Sequence, residues 1–489
     1  MIQRRKQTII NGVLEKKTNL KHNMKNIKRK LLTLFAAIIA LGAAAELPWE
    51  NGRLVVSTNH RYLMHENGKP FFWLGDTSWL LPQKLDRSEV GFYLSSCEKA
   101  GFNVVQVQTM NGVPATNLYG ESSLPDGFNF KNVEKDKRAA SYWGNMDYII
   151  KTAENHGIYV GMVCIWGGLV KHGMMNVEQA RAYGRFLANR YKNSPNIVWI
   201  IGGDIRGDVK PEVWTALAET IKSIDKNHLM TFHPFGRTLS AVWWNDAKWL
   251  DFNMFQSGHR RYGQKKGDGD ESVTNQEEDN WRYAEKSLSM TPLKPVIDGE
   301  PSYEGIPQGL HDPKQPLWKA CDVRRYAYWS VFAGSFGHTY GNNAIMQFYK
   351  PGNGGAYGCS KPWYEALQDP GFNQMKHLKE LMLRFPFFER VPDQSIIIGG
   401  EGYRYDRLAA TRGNDYLLVY NYSGRPMQID LTKISGNRKK AWWFNPQNGE
   451  YSLIGEFDNK PASFQYDAAY MMGEDRVLVV TDASKSYVE

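Results

Sequence analysis

Cysteine is scarce in this chain, with four in 489 residues. No CxxC pair and no His/Cys cluster occurs, which removes the usual ligand sets of a structural zinc site. Cys97, Cys164, Cys321 and Cys359 allow three pairings, and the sequence does not choose among them. A chain this long needs no covalent staples. Cys97 and Cys164 sit in apolar helix and strand patterns and read as buried free thiols. No Gly-rich phosphate loop follows an early strand, which argues against a doubly wound nucleotide-binding sheet. No nucleophile elbow and no Ser-His-Asp order stands out. Membrane-length apolar runs are missing too. The one long run, Leu31–Ala45, has 15 residues, where a bilayer span takes about 20.

An excess of charge is also missing once the leader is set aside. The formal net charge is +9, but residues 1–45 carry ten Lys/Arg and one acid and hold all of it. The remaining 444 residues carry 50 basic and 50 acidic side chains. The body therefore has no electrostatic footprint for nucleic acid. The leader itself has three parts. A basic stretch from Met24-Lys25 to Lys30 precedes Leu31–Ala45, which closes on Ala43-Ala44-Ala45 before Glu46. That is the order of a secretory signal, with cleavage expected after Ala45. Residues 1–23 fit no targeting pattern, and Met24 reads as the start. No Cys follows the apolar run, so a lipid anchor is not expected. The mature protein is expected to be soluble and exported, periplasmic or extracellular.

What is abundant is aromatic: 16 Trp, 26 Tyr and 22 Phe. With 42% hydrophobic residues the chain can bury a large core, and bulk disorder is excluded. Its length suggests two to four domains. Short apolar runs alternate with helical patterns from about residue 70 to 386. The expected strands are Phe71–Leu74, Asn103–Gln108, Ile158–Ile165, Asn196–Ile201, Leu229–His233, Asp251–Gln256, Pro295–Asp298 and Gly337–Tyr340. Between them, stretches such as Val177–Tyr191 place Val177, Ala180, Gly184, Leu187 and Tyr191 on one helical face. Eight such repeats predict a (β/α)8 TIM barrel over 46–390. From Pro392 the pattern becomes short strands between Gly/Asn/Asp/Pro turns, which predicts a small all-β sandwich over 391–489.

A barrel of this type carries its chemistry at the C-terminal ends of its strands. Those ends supply Asp76 and Trp79, Gln108 and Asn111, Trp166, Asp204, His233, Gln256 and His259, Asp298 with Glu300, and Tyr340. Asp204 after the fourth strand and Glu300 after the seventh face each other across such a mouth. Two carboxyls about 5–5.5 Å apart suit double-displacement glycoside hydrolysis. Burial and a second carboxylate can keep one of them protonated near neutral pH. Gly203 and Gly299 are expected to leave room for a sugar. The aromatics are binding candidates because their faces stack on sugar rings. Asp298 reads as an orienting residue one layer deeper, on the face of Glu300. Glu304 reads as exposed. Gly267-Asp268-Gly269-Asp270-Glu271 reads as a solvated loop, because it lacks the spacing of a calcium site. The expected chemistry needs no metal and no cofactor.

These residues carry a resemblance. The stretches Phe71-Phe72-Trp73-Leu74-Gly75-Asp76-Thr77-Ser78-Trp79, Ala100-Gly101-Phe102-Asn103-Val104-Val105-Gln106, Asn196-Ile197-Val198-Trp199-Ile200-Ile201-Gly202-Gly203-Asp204, Pro295-Val296-Ile297-Asp298-Gly299-Glu300 and Trp443-Phe444-Asn445-Pro446 occur in this order. Together they resemble the apiosidase-like glycoside hydrolases, family 140. The resemblance implies a barrel joined to a collagen-binding-type sandwich, with Asp204 as acid/base and Glu300 as nucleophile. It also implies release of apiose or a similar sugar from pectic side chains such as those of rhamnogalacturonan II. Related barrels usually carry Asn-Glu where Gly203-Asp204 stands. The alternatives are a glycosidase of the same type on another polysaccharide and a catalytically silent glycan- or matrix-binding protein. Paired acids favour an enzyme, because a pure binder does not need them. The expected partner is an oligo- or polysaccharide.

Overall fold

The computed structural model describes residues 46–264, 277–466 and 471–488. The leader and the Gly267–Glu271 stretch lie outside the described residues. Of the unit Met1–Glu50, residues 46–50 are described, and they open a 3-10 turn, Pro48–Asn51. The elements that follow belong to the second unit, Asn51–Glu489.

Eight parallel strands build the barrel: β1 (Trp73–Thr77), β2 (Val104–Gln108), β3 (Tyr159–Val163), β4 (Ile197–Ile205), β5 (Met230–Pro234), β6 (Asn253–Gln256), β7 (Val296–Asp298) and β8 (Gly337–Tyr340). Neighbours pair in the order β6-β7-β8-β1-β2-β3-β4-β5. Between β5 and β6 the ring closes with few bonds. The Asp251 N–H donates to Met230 O (2.9 Å) and Thr231 Oγ1 to Phe252 O (2.7 Å). A short strand, Thr238–Leu239, pairs antiparallel with β6 on the edge opposite β7.

Registered partners in a parallel sheet face the same side, and the faces alternate along each strand. Gln108 aligns with Val163, Val163 with Ile200, Ile200 with Thr231, and Gly202 with His233. This row faces the barrel interior. Tyr340 aligns with Asp76, and Asp298 with both His338 and Phe255. That row faces the helices. Phe255 packs on Tyr283 of helix Asp279–Leu288, with ring centroids 5.8 Å apart.

The helices follow their local chemistry. Helix Val177–Tyr191 starts at a reciprocal capping box between Asn176 and Gln179, and it buries Ala180, Gly184, Leu187 and Tyr191. Helix Pro211–Ile224 begins with proline at its first turn.

The C-terminal domain has two sheets. Six strands run in the spatial order Val391–Pro392, Leu408–Arg412, Tyr416–Asn421, Arg476–Asp482, Arg438–Phe444, Tyr451–Asp458. Three more, Ile397–Ile398, Met427–Ile429 and Ala462–Phe464, form the second. Leu417, Val419, Ile429, Ala441, Leu478 and Val480 fill the space between them.

Helix Ala320–Phe332 lies between barrel and sandwich, and eleven of its residues are buried. Arg324 pairs with Asp475 at 2.5 Å, and Tyr420 OH donates to the same carboxylate at 3.0 Å. Arg325 pairs with Glu277 among the rings of Trp329, Tyr405 and Tyr422. Buried charges are tolerated only where they are paired and hydrogen-bonded. No disulfide forms: Cys97 and Cys164 are buried free thiols, and Cys321 and Cys359 are half-buried. Among the described residues no helix is long and apolar enough to cross a membrane.

Candidate active site

At the C-terminal mouth of the barrel lies a cavity of about 510 Å3, lined by Asp204 and Glu300 together with Trp79, Gln108, Trp166, Gln256 and His259. That volume lies within the range of small-molecule sites. The cavity thus gathers seven of the residues picked from the sequence. Three others are held elsewhere by strand alternation. Asp76 is inside β1 rather than after it, because the strand runs Trp73–Thr77. Its side chain points to the helices and accepts from Tyr93 OH at 2.6 Å. Burial pushes its carboxyl up to about 8 against that hydrogen bond. Tyr340, aligned with Asp76, also points outward and donates to Glu304 Oε2 at 2.6 Å. Asp298 accepts from Ser257 Oγ (2.6 Å) and from Asn280 Nδ2 on the outer helix (2.8 Å). Asn111 is exposed and does not line the cavity. Asp76, Asn111, Asp298 and Tyr340 are therefore not wall residues.

Two further expectations change. Glu304 is buried, not exposed, and burial pushes its carboxyl up to about 7. The glycines do not make room for a sugar. A Cβ at Gly203 would lie 2.9 Å from the Trp166 ring, and one at Gly299 would lie 2.4 Å from Met254 Sδ. Protein side chains already fill that space.

Asp204 sits where the β4–β5 register breaks, between Gly202 and Ile205. Gly202, Gly203 and Asp204 all have positive φ (84°, 115° and 51°). Asp is one of the few residues that enters the left-handed region readily, and bulges recur beside active sites because they re-aim a side chain. Glu300 lies two residues past the end of β7. Its segment is tied down by Gly299 N–H to Phe255 O (2.9 Å), Gln106 Nε2 to Gly299 O (2.9 Å) and Gly258 N–H to Glu300 O (3.0 Å). That turn, not alternation, carries Glu300 into the mouth while Asp298 faces away.

His233 joins the two carboxyl segments. Its Nδ1 accepts from the Asp204 N–H at 3.2 Å, so the ring proton belongs on Nε2, which faces Glu300 Oε2 at 3.1 Å. His259 Nε2 stands 3.7 Å from Glu300 Oε1, and Tyr303 OH donates to that oxygen at 2.6 Å. Trp79 Nε1 donates in turn to Tyr303 OH at 3.2 Å. These contacts drive the two acids apart. Burial pushes Asp204 up and the Glu300 charge adds to it, against a downward pull from both histidines, leaving it at about 6. Burial acts upward on Glu300 as well, but the imidazoles of His233 and His259 facing its two oxygens outweigh it and hold it at about 2. One group is thus ionised and the other able to carry a proton in mildly acidic water.

Several wall residues had no signal in the sequence. Tyr303 lies in the loop after Glu300, Arg237 follows His233-Pro234 by three positions, and Arg260, His311 and Tyr357 belong to long loops. Their spacing matches no motif, and only the folded loops bring them together. Among the described residues no group of three or more His, Cys, Asp or Glu could hold a metal ion.

Comparison with known proteins agrees with this geometry. Residues 57–389 match the family model "Apiosidase-like, catalytic domain", and residues 391–481 match "Putative collagen-binding domain of a collagenase". Among solved structures, one described as a glycoside hydrolase is 65% identical, with a TM-score of 0.89 over 91% of this chain and 100% of that one. Another, a glycoside hydrolase family 5 protein from Bacteroides vulgatus, is 64% identical with a TM-score of 0.89, covering 91% of this chain and 97% of that one. No curated protein matches the chain. A barrel mouth holding a divided pair of carboxyls, and a family match across two thirds of the sequence, place this chain among the apiosidase-like glycoside hydrolases.

Proposed function

We propose that this glycoside hydrolase is a retaining, exo-acting enzyme that releases apiose or a similar sugar from pectic side chains, with Glu300 as nucleophile and Asp204 as acid/base. The observation that carries this reading is one cavity holding an ionised carboxylate and a carboxyl at about 6. In the first step a Glu300 oxygen attacks the anomeric carbon while Asp204 gives its proton to the departing glycosidic oxygen. In the second, Asp204 takes a proton from water, which attacks the glycosyl-enzyme and frees Glu300. His233, His259 and Tyr303 hold the nucleophile as an anion and fix its orientation. Arg237 and Arg260 line the same cavity, and guanidinium groups suit the carboxylates of a pectic glycan. The sandwich supports the barrel and takes no part in bond breaking, and the protein works outside the cytoplasm after its leader is removed.

The test compares two variants on a panel of pectic side-chain oligosaccharides. Glu300→Gln should lose both steps. Asp204→Ala should retain more activity on substrates with very good leaving groups, with azide replacing the missing base. Losses on natural substrate should reach at least the roughly 10²–10⁴-fold supplied by general acid/base help. A near-wild-type rate in either variant would reject the assignment.

A further inference from the structure

The loop after β8 places one tyrosine in a conformation that packing does not explain. Tyr357 has φ +53°, which for a bulky residue is a genuine outlier. Such strain persists only where the surroundings over-determine it, and it clusters at functional sites. Here two side chains hold the turn. Gln347 accepts from the Ala356 N–H at 2.8 Å and donates back to Ala356 O at 3.3 Å. Asn343 Nδ2 donates to Tyr357 O at 3.2 Å and to Gly305 O at 3.0 Å. Gln347 is itself fixed by Asn343 O and Oδ1, at 2.8 and 2.9 Å. The clamp secures the backbone, yet the side chain it presents is 38% exposed. Burial of the ring therefore does not account for the strain.

The residue stands instead on the wall of the cavity. Tyr357 lines it together with His311, and their ring centroids lie 6.1 Å apart. The charges of Glu300 and Asp204 both reach its hydroxyl. The cavity is deep at Glu300, which is 6% exposed, and open at Tyr357. A sugar whose anomeric carbon meets Glu300 occupies the deep end. The part of the glycan that reaches the open end is the residue on the far side of the glycosidic oxygen.

We propose that Tyr357 is a specificity-determining residue for the leaving group, an aromatic platform on which the sugar being departed from stacks. The proposal rests on the reading of the cavity as an exo-acting glycosidase site and extends it to the opposite side of the scissile bond. Aromatic faces bind the C–H faces of pyranose and furanose rings without demanding one hydroxyl pattern. This platform therefore selects for a glycosyl aglycone over none, and only loosely for its identity.

The experiment uses the full chain and two probes sharing one glycone: an apiose-capped pectic oligosaccharide and apiosyl fluoride, which has no aglycone sugar. Tyr357→Ala should lower kcat/KM on the oligosaccharide about tenfold, largely through KM, and leave the fluoride within about twofold. Tyr357→Phe should keep near-wild-type values on both, because the ring does the work. Tyr357→Gly should show the same substrate split while its melting temperature does not fall, since glycine relieves the left-handed backbone. Equal losses on oligosaccharide and fluoride, or no loss on either, would overturn the proposal. If the wild type ignores apiosides but cleaves another glycoside of the panel, the sugar assignment fails and the same paired comparison on that glycone decides the role of Tyr357. If it cleaves none, both readings fall.

Discussion

Replacing Tyr303 by Phe removes one atom from the site and should move one limb of its pH profile. Tyr303 OH donates to Glu300 Oε1 at 2.6 Å and accepts from Trp79 Nε1 at 3.2 Å. A hydrogen bond to a charged group is worth about 1.5–3 kcal/mol. One pKa unit corresponds to about 1.4 kcal/mol. The phenol favours the ionised form, so its loss should raise the Glu300 carboxyl by about 1–2 units, from about 2 to roughly 3–4. In the wild type the acid limb of kcat/KM lies below the range in which most proteins stay folded. In Tyr303→Phe it should emerge into the measurable range, while the alkaline limb set by Asp204 stays in place. The variant also leaves the buried Trp79 indole N–H without its acceptor, a desolvation penalty of about 1–3 kcal/mol that should lower the melting temperature. The assay is kcat/KM between pH 3 and 8 on an oligosaccharide whose departing sugar needs protonation, run beside thermal unfolding. An acid limb that stays put, or an alkaline limb that moves instead, would refute the reasoning.

Asp204 must hold its proton to act, so kcat/KM should fall above about 6, roughly tenfold per pH unit; a flat profile to pH 8 would contradict its role as acid. Asp475→Ala strands Arg324 in the interface beneath the sandwich, where breaking a buried pair is worth about 3–5 kcal/mol, and differential scanning calorimetry should show a clear drop in stability. Mass spectrometry of the exported protein should find its first residue at Glu46, and recovery of intact residues 24–45 would count against cleavage after Ala45.

The architecture was legible because its signals are local. Apolar runs of strand length alternating with helical periodicity mark the repeats, and helix Val177–Tyr191 spans the residues its pattern indicates. The two acids that line the cavity, Asp204 and Glu300, were legible from their place just past strand ends. The site was illegible where one residue of register decides the outcome. Extending β1 to Thr77 turns Asp76 from a rim residue into one facing helix Arg87–Lys99. The same alternation sends Asp298 and Tyr340 outward. Nothing in the spacing of Tyr303 or Tyr357 marks them, because loop paths after β7 and β8 are set by tertiary contacts. Glu304 shows the opposite failure: a carboxylate in a loop reads as solvated until Tyr340 and the Gly371 N–H are found beside it.

Helix Ala320–Phe332 carries arginines in its middle that answer to acids on both sides, Glu277 in one domain and Asp475 in the other. A module that can be exchanged between genes needs a surface that solvent accepts when its neighbour is gone. This one has none, because removing the sandwich would leave Arg324 and the face of Tyr328 bare. The two halves are therefore expected to melt as one object, in a single transition rather than two.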